Sequence, residues 1–165
     1  MTAADRPALA HGTFRIERRY DASPGRVFRA WSDPAAFRRW FVEAPGATIQ
    51  EWVHDFRVGG QGGGRYQFGG PDADVGFNDT RFLDIVEGRR IILSYVMGRE
   101  LRGERRRESA SLATIELASD GRGTRLIYTE QGAYFGEDGA AHIPLREEGC
   151  AEMLGNLARE LEMNP

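Results

Sequence analysis

Residues 20–41, YDASPGRVFRAWSDPAAFRRWF, carry the reading on which the fold turns. They follow residues 14–20 (FRIERRY), where apolar and charged side chains alternate as in a half-buried strand. Asp21 ends that strand, Ser23 is placed to cap a helix, and Pro24 suits its first position. Val27, Phe28 and Trp31 then form one apolar stripe at helical spacing. Ser32-Asp33-Pro34 repeats the start signal, and Phe37, Trp40 and Phe41 make a second short amphipathic turn. The stretch predicts one strand followed at once by two short helices.

Downstream, residues 48–131 read as strands punctuated by glycine. Trp52, His54, Phe56 and Val58 share one parity, and Tyr66 and Phe68 share another beyond a glycine-rich gap. Residues 82–86 (FLDIV) and 91–97 (IILSYVM) flank a turn at Glu87-Gly88-Arg89. Residues 112–118 (LATIELA) and 124–131 (TRLIYTEQ) flank a second turn containing Asp120-Gly121, a strong hairpin dipeptide. Strands this close in sequence and joined by turns pair antiparallel. From 144 to 162 the period changes: Cys150, Met153, Leu154, Leu157 and Leu161 recur at three and four residues, which predicts one long amphipathic helix. A sheet with one apolar face must bury it, and the last helix is the available cover. The fold class is α+β.

The chain has 165 residues, 41% hydrophobic and 28% charged, which suits one globular domain with its own core. Residues 1–12 read as a polar, flexible tail and residues 13–165 as the domain. The opening residues lack a basic stretch followed by an apolar one, so no signal peptide is expected. No run of apolar residues reaches membrane-spanning length. One cysteine, Cys150, excludes an internal disulfide and fits a reducing cytoplasm. The net charge of −3 disfavours nucleic acid as the main partner. All 22 basic residues are arginine, which excludes Schiff-base and lysine-nucleophile chemistry.

The segment Val27-Phe28-x-Ala30-Trp31-Ser32-Asp33-Pro34 followed by Trp40-Phe41 resembles the opening of the activator-of-Hsp90-ATPase-like (AHSA1-like) family, within the START-like, or SRPBCC, helix-grip superfamily. Asp55-Phe56-Arg57-Val58-Gly59-Gly60 is similar to that family's Asp-Leu-Arg-Pro-Gly-Gly turn, and Gly123-Thr124-Arg125-Leu126 and the last helix match its closing elements. The resemblance covers roughly residues 13–163. It implies a curved antiparallel sheet of about six to seven strands wrapped around the long C-terminal helix, with a cavity between them that often holds an apolar ligand. The chain departs from the family pattern at Ala22-Ser23-Pro24, where Ala-Pro is usual, and at Cys150, where the last helix often carries Trp.

The stretch DFRVGGQGGGRYQFGG (55–70) asks whether seven glycines cradle phosphate, form a catalytic GGQ tip or make a turn. A phosphate loop needs a lysine and leads into a helix; here there is no lysine, and Arg65 to Phe68 read as a strand. A GGQ tip belongs to strongly basic proteins of different sequence. The expectation is therefore a lengthened, mobile hairpin tip at 60–64. The run Arg102, Arg105, Arg106 and Arg107 reads as a solvated hairpin, and residues 132–143, with Phe135 and His142, as a long loop.

On the resemblance, the side chains expected to line the cavity are Trp31, Trp40, Phe41, Trp52, His54, Phe56, Phe68, Phe82, Tyr95, Tyr128, Phe135, Cys150, Met153 and Leu157. The loops after Trp40 and around Phe135 would gate it. Core packing alone would account for most of these rings, and His54, Tyr95, Tyr128 and Glu130 are the scarce polar anchors. His11, His54 and His142 lack metal-ligand spacing, so no metal and no cofactor are expected. The function expected is binding of a small hydrophobic or amphipathic ligand. A cyclase- or hydratase-like enzyme using the same cavity, or a module acting on an Hsp90-like ATPase, are the alternatives. The Hsp90-type partner is disfavoured because the chain shows no second domain of the kind eukaryotic activators carry. A homodimer stays open.

Overall fold

The computed structural model describes residues 8–43, 46–70 and 72–164. Strand β1 (Leu9–Tyr20) leads into helices α1 (Pro24–Ser32) and α2 (Pro34–Phe37), and α2 runs on into a wide π-helical turn at Arg38–Val42. Strands β2 (Ala47–His54), β3 (Gln61–Phe68), β4 (Val75–Val86), β5 (Arg90–Leu101), β6 (Glu104–Asp120) and β7 (Gly123–Phe135) follow, and helix α3 (Gly139–Met163) closes the described chain. The local chemistry is the one expected. The Ser23 side chain accepts from the Arg26 amide and Asp33 from the Ala36 amide, with Pro24 and Pro34 at the two first positions.

The seven strands form one curved antiparallel sheet in the order β1-β7-β6-β5-β4-β3-β2. Register shifts at Ile49/Glu51, Phe82/Asp84 and Met97/Gly98 bend it, as bulges do. At the last of these a Cβ on Gly98 would fall 2.0 Å from the Arg106 carbonyl oxygen, so only glycine fits the bend. The concave face carries Phe14, Ile16, Ala113, Ile115, Leu117, Leu126 and Tyr128, every second residue of its strands. α3 lays Cys150, Leu154, Leu157 and Leu161 against that face, while Val27, Phe28, Trp31 and Trp40 fill the end of the core. Three polar contacts fix the helix. Tyr20 donates its hydroxyl to the Leu154 carbonyl (3.0 Å), Arg26 donates to the Leu161 carbonyl (2.6 Å), and Arg39 pairs with the buried Glu160 (3.1 Å).

Four expectations change. β1 begins at Leu9, which pairs with Phe135, so the sheet takes in residues 9–12 of the segment read as a tail; residues 1–7 lie outside the described residues. The glycines at 62–64 are strand, not hairpin tip. β3 starts at Gln61, and the turn before it is residues 55–60. Gly63 explains the glycine requirement, with φ at +114° and the Asn78 carbonyl oxygen 2.0 Å from where a Cβ would be. The arginine run is also strand. Only Arg102 and Gly103 turn, with positive φ, because Arg105 is held by Glu100 and Asp79 and lies 4.2 Å over the Phe77 ring. Finally, α3 starts at Gly139 rather than Pro144, so Phe135 ends a strand and His142 is helical. Pro144 lies inside the helix as its sixth residue, where it forfeits the amide bond to the Ala140 carbonyl, and the helix runs through it.

Candidate functional site

Between the concave face and α3 the structure holds a cavity of about 490 Å³, within the range of small-molecule sites. Its walls are ring-rich and come from α1, α2, the π-helical turn, β2, β3, β4, β5, β7 and α3. At one side Phe37, Phe41 and His54 stack, with Phe37 centroids 4.5 Å from Phe41 and 4.4 Å from His54. Phe82 meets His54 edge-on at 5.7 Å. Phe68 and Leu145 line the cavity yet stay 59% and 61% exposed, so it opens to solvent beside them. Apolar lining side chains that exposed mark an opening rather than a core.

Of the fourteen residues expected to line the cavity, nine do: Trp31, Phe41, His54, Phe68, Phe82, Tyr95, Tyr128, Cys150 and Met153. The other five lie elsewhere. Trp40 is sealed in the core with its indole N–H donated to the Ala30 carbonyl (2.7 Å), and Leu157 is fully buried on the core side of α3. Trp52 stacks behind His54 (5.5 Å) on the outer side of the cluster. Phe56 packs edge-on against Phe28 (5.6 Å) and Phe82 (5.0 Å), one layer behind the wall. Phe135 ends β7 and is not among the residues that line the cavity. Of the loop after Trp40, residues 44 and 45 lie outside the described residues.

His54 is an inward-facing residue with a structural bond. Its Nε2 lies 2.9 Å from the Trp31 carbonyl, which can only accept, so Nε2 carries the proton. Burial lowers its pKa, outweighing that hydrogen bond.

A polar cluster around Arg146, next to Leu145 on α3, borders the cavity. Arg146 of α3 donates to the Tyr95 hydroxyl (2.8 Å) and to Ser109 Oγ (3.1 Å). Its guanidinium stands 3.7 Å from Oε1 of Glu130, a carboxylate with no exposure at all. Tyr128 donates its hydroxyl to Glu130 Oε2 (2.7 Å), and the Cys150 thiol lies 3.5 Å from the same oxygen. Burial above all, with Glu130 adding its charge, pushes the Cys150 thiol up to about 12 and raises the Tyr95 and Tyr128 hydroxyls well above their usual value. Two further polar atoms of cavity-lining residues are buried without a hydrogen-bond partner: the Trp31 indole N–H and the Tyr66 hydroxyl. Among the described residues, no three metal-ligating side chains converge.

Arg146 is the main residue the sequence reading missed. It sits four residues before Cys150 on the inward stripe of α3, and a charge on an apolar stripe was the available signal. It fell inside the expected helix but read as a solvated charge, because its partners Tyr95, Ser109 and Glu130 lie on three separate strands. Phe77 and Gly62 escaped for a different reason: β4 and β3 begin earlier than their apolar cores suggest.

A family model described as activator of Hsp90 ATPase homolog 1-like protein matches residues 21–162. Among solved structures, a protein of Rhizobium loti is 45% identical, with a TM-score of 0.81 over 93% of this chain and 99% of that one. A protein of Rhizobium leguminosarum is 34% identical, with a TM-score of 0.83 over 96% of this chain and 99% of that one. A third, from Chromobacterium violaceum, is 27% identical, with a TM-score of 0.70 over 91% and 96%. No curated protein matches the chain. No helix of the described residues is long and apolar enough to cross a membrane.

Proposed function

The chain belongs to the activator of Hsp90 ATPase homolog 1-like family, and on that premise we propose that it binds a small hydrophobic or amphipathic molecule between sheet and α3. The observation that carries this reading is the ring-lined 490 Å³ cavity, open beside the exposed Phe68 and Leu145 and bordered by a polar cluster around Arg146. A core that needed only to pack would fill such a volume, because interiors close to crystal density. Each ~40 Å² of apolar ligand surface taken from water contributes about 1 kcal/mol. The ligand enters beside Phe68 and Leu145, its body lies against Trp31, Phe41 and Phe82, and its polar end meets Tyr95 and Arg146. The reading places the protein in the cytoplasm.

The test is native mass spectrometry of freshly purified protein, with displacement of N-phenyl-1-naphthylamine as a fluorescent readout. A co-purifying small molecule, or probe binding at one site, is expected. Protein that carries nothing and leaves the probe dark overturns the reading.

An enzyme of the cyclase or hydratase type is a second reading, favoured by one observation: His54, Tyr95 and Tyr128 face the same cavity. Acid–base work near neutral pH needs a group poised there, and burial drives both tyrosines away from it. His54 is the remaining candidate. Turnover of an added substrate that vanishes in a folded His54→Ala protein would favour this reading over simple binding.

A further inference from the structure

We propose that the cavity selects uncharged, flat apolar molecules carrying one oxygen acceptor, held by Arg146, and discriminates against carboxylates of the same shape. The proposal rests on the binding reading above and names its ligand class.

The argument starts from what Arg146 still has to offer. A guanidinium carries five N–H donors and no acceptor. Two of them are used, on Tyr95 and Ser109. Arg146 lines the cavity, so its remaining donors border the space a ligand would occupy. An oxygen acceptor at the ligand's end meets them; a purely apolar end leaves them buried and unmet.

The sign of the ligand's charge follows from Glu130. This carboxylate is not part of the cavity wall; it stands behind Arg146, Tyr128 and Cys150, fully buried, with its Oε1 facing the guanidinium at 3.7 Å. The pair is neutral as a unit, and Arg146 already holds its counter-charge. A ligand carboxylate would bring a second buried anion to one cation, in a place where burying unbalanced charge is costly. A ketone or hydroxyl oxygen takes the same hydrogen bonds without that charge. The rest of the wall adds shape. Trp31, Phe41 and Phe82 present rings, which favour stacked or edge-on aromatic partners.

The test uses three naphthalenes of nearly equal shape: 2-acetylnaphthalene, 2-naphthoate and 2-isopropylnaphthalene. Each is titrated at pH 7.5 in competition with N-phenyl-1-naphthylamine. The ketone is expected to bind about tenfold tighter than either of the others, the gain of a hydrogen bond to a charged donor. Naphthoate binding as tightly as the ketone, or tighter, overturns the charge argument. The isopropyl compound matching the ketone overturns the Arg146 anchor. If the probe binds and none of the three displaces it, this inference falls while the binding reading stands. If the probe fails as well, the binding reading falls and takes this inference with it.

Arg146→Met alone leaves Glu130 buried and unpaired, so the double variant Arg146→Met with Glu130→Gln is the one to measure. It should fold, still bind the isopropyl compound, and lose the ketone preference so that the two affinities agree within about twofold. A preference of about tenfold that survives in the double variant places the acceptor elsewhere and overturns the assignment.

Discussion

A Cβ built on Gly62 would stand 3.4 Å from the ring of Phe82, in ordinary contact, at the wall of the cavity. Gly62 is not among the glycines with positive φ, so its backbone accepts other residues. What it provides is space.

Gly62→Leu is therefore expected to fold and to fill part of the cavity. Overpacking of this kind costs about 1–3 kcal/mol of stability. Binding of N-phenyl-1-naphthylamine should weaken at least about tenfold, equivalent to about 1.4 kcal/mol. Undiminished probe binding in a folded Gly62→Leu protein would place the binding site elsewhere.

His54 gives a pH dependence whose sign is fixed by burial. The unfolded histidine takes its proton near pH 6.5, and in the folded protein burial lowers that value despite the Trp31 carbonyl. Below about pH 6.5 the unfolded state binds the proton more readily, so stability is lost as pH falls through this window. Above it the contribution is complete and constant. His54→Gln keeps a donor for Trp31 without the titration. Urea midpoints between pH 7.5 and 5 should drop less steeply in the variant than in the parent, and equal slopes would remove His54 from the acid response.

Cys150 should be chemically quiet. Burial pushes its thiol up to about 12, so the thiolate that alkylating reagents require is scarce at pH 8. Iodoacetamide labelling followed by intact mass should be slow in native protein and fast in denaturant. Rapid native labelling would mean that the α3 face opens far more readily than its packing implies.

Leu157 and Phe135 form a contrasting pair. Leu157 is fully buried in the core, and Leu157→Ala should cost about 2–5 kcal/mol of stability. Phe135, at the end of β7, is 37% exposed and does not line this cavity, so Phe135→Ala should stay within about 1 kcal/mol and leave probe binding unchanged. Chemical denaturation and probe titration of the two variants check both statements. A binding defect in Phe135→Ala would restore it as a gate.

Some of this molecule was legible in its sequence because the information is local. Ser23-Pro24 and Asp33-Pro34 start two helices through bonds to amides three residues on, and both bonds are present. The alternation in β6 and β7 and the three-and-four spacing of Cys150, Leu154, Leu157 and Leu161 each assign a face within one element. Composition and the family-like stretch at 27–41 then sufficed for the helix-grip arrangement.

The limits of the strands and the floor of the cavity were decided only by tertiary structure. Arg105 belongs to a strand because Glu100, Asp79 and the Phe77 ring receive it from neighbouring strands, a fact no local propensity contains. Gly63 is glycine because a carbonyl at residue 78 crowds it, fifteen residues away in sequence and adjacent across the sheet. Arg146 reads as a solvated helical arginine until folding brings Tyr95, Ser109 and Glu130 around it from three strands. Sequence determined what each element is and which face it buries, since both depend on residues a few positions apart. Where those faces leave a gap, and which polar groups border it, depends on side chains joined only by the packing of distant segments.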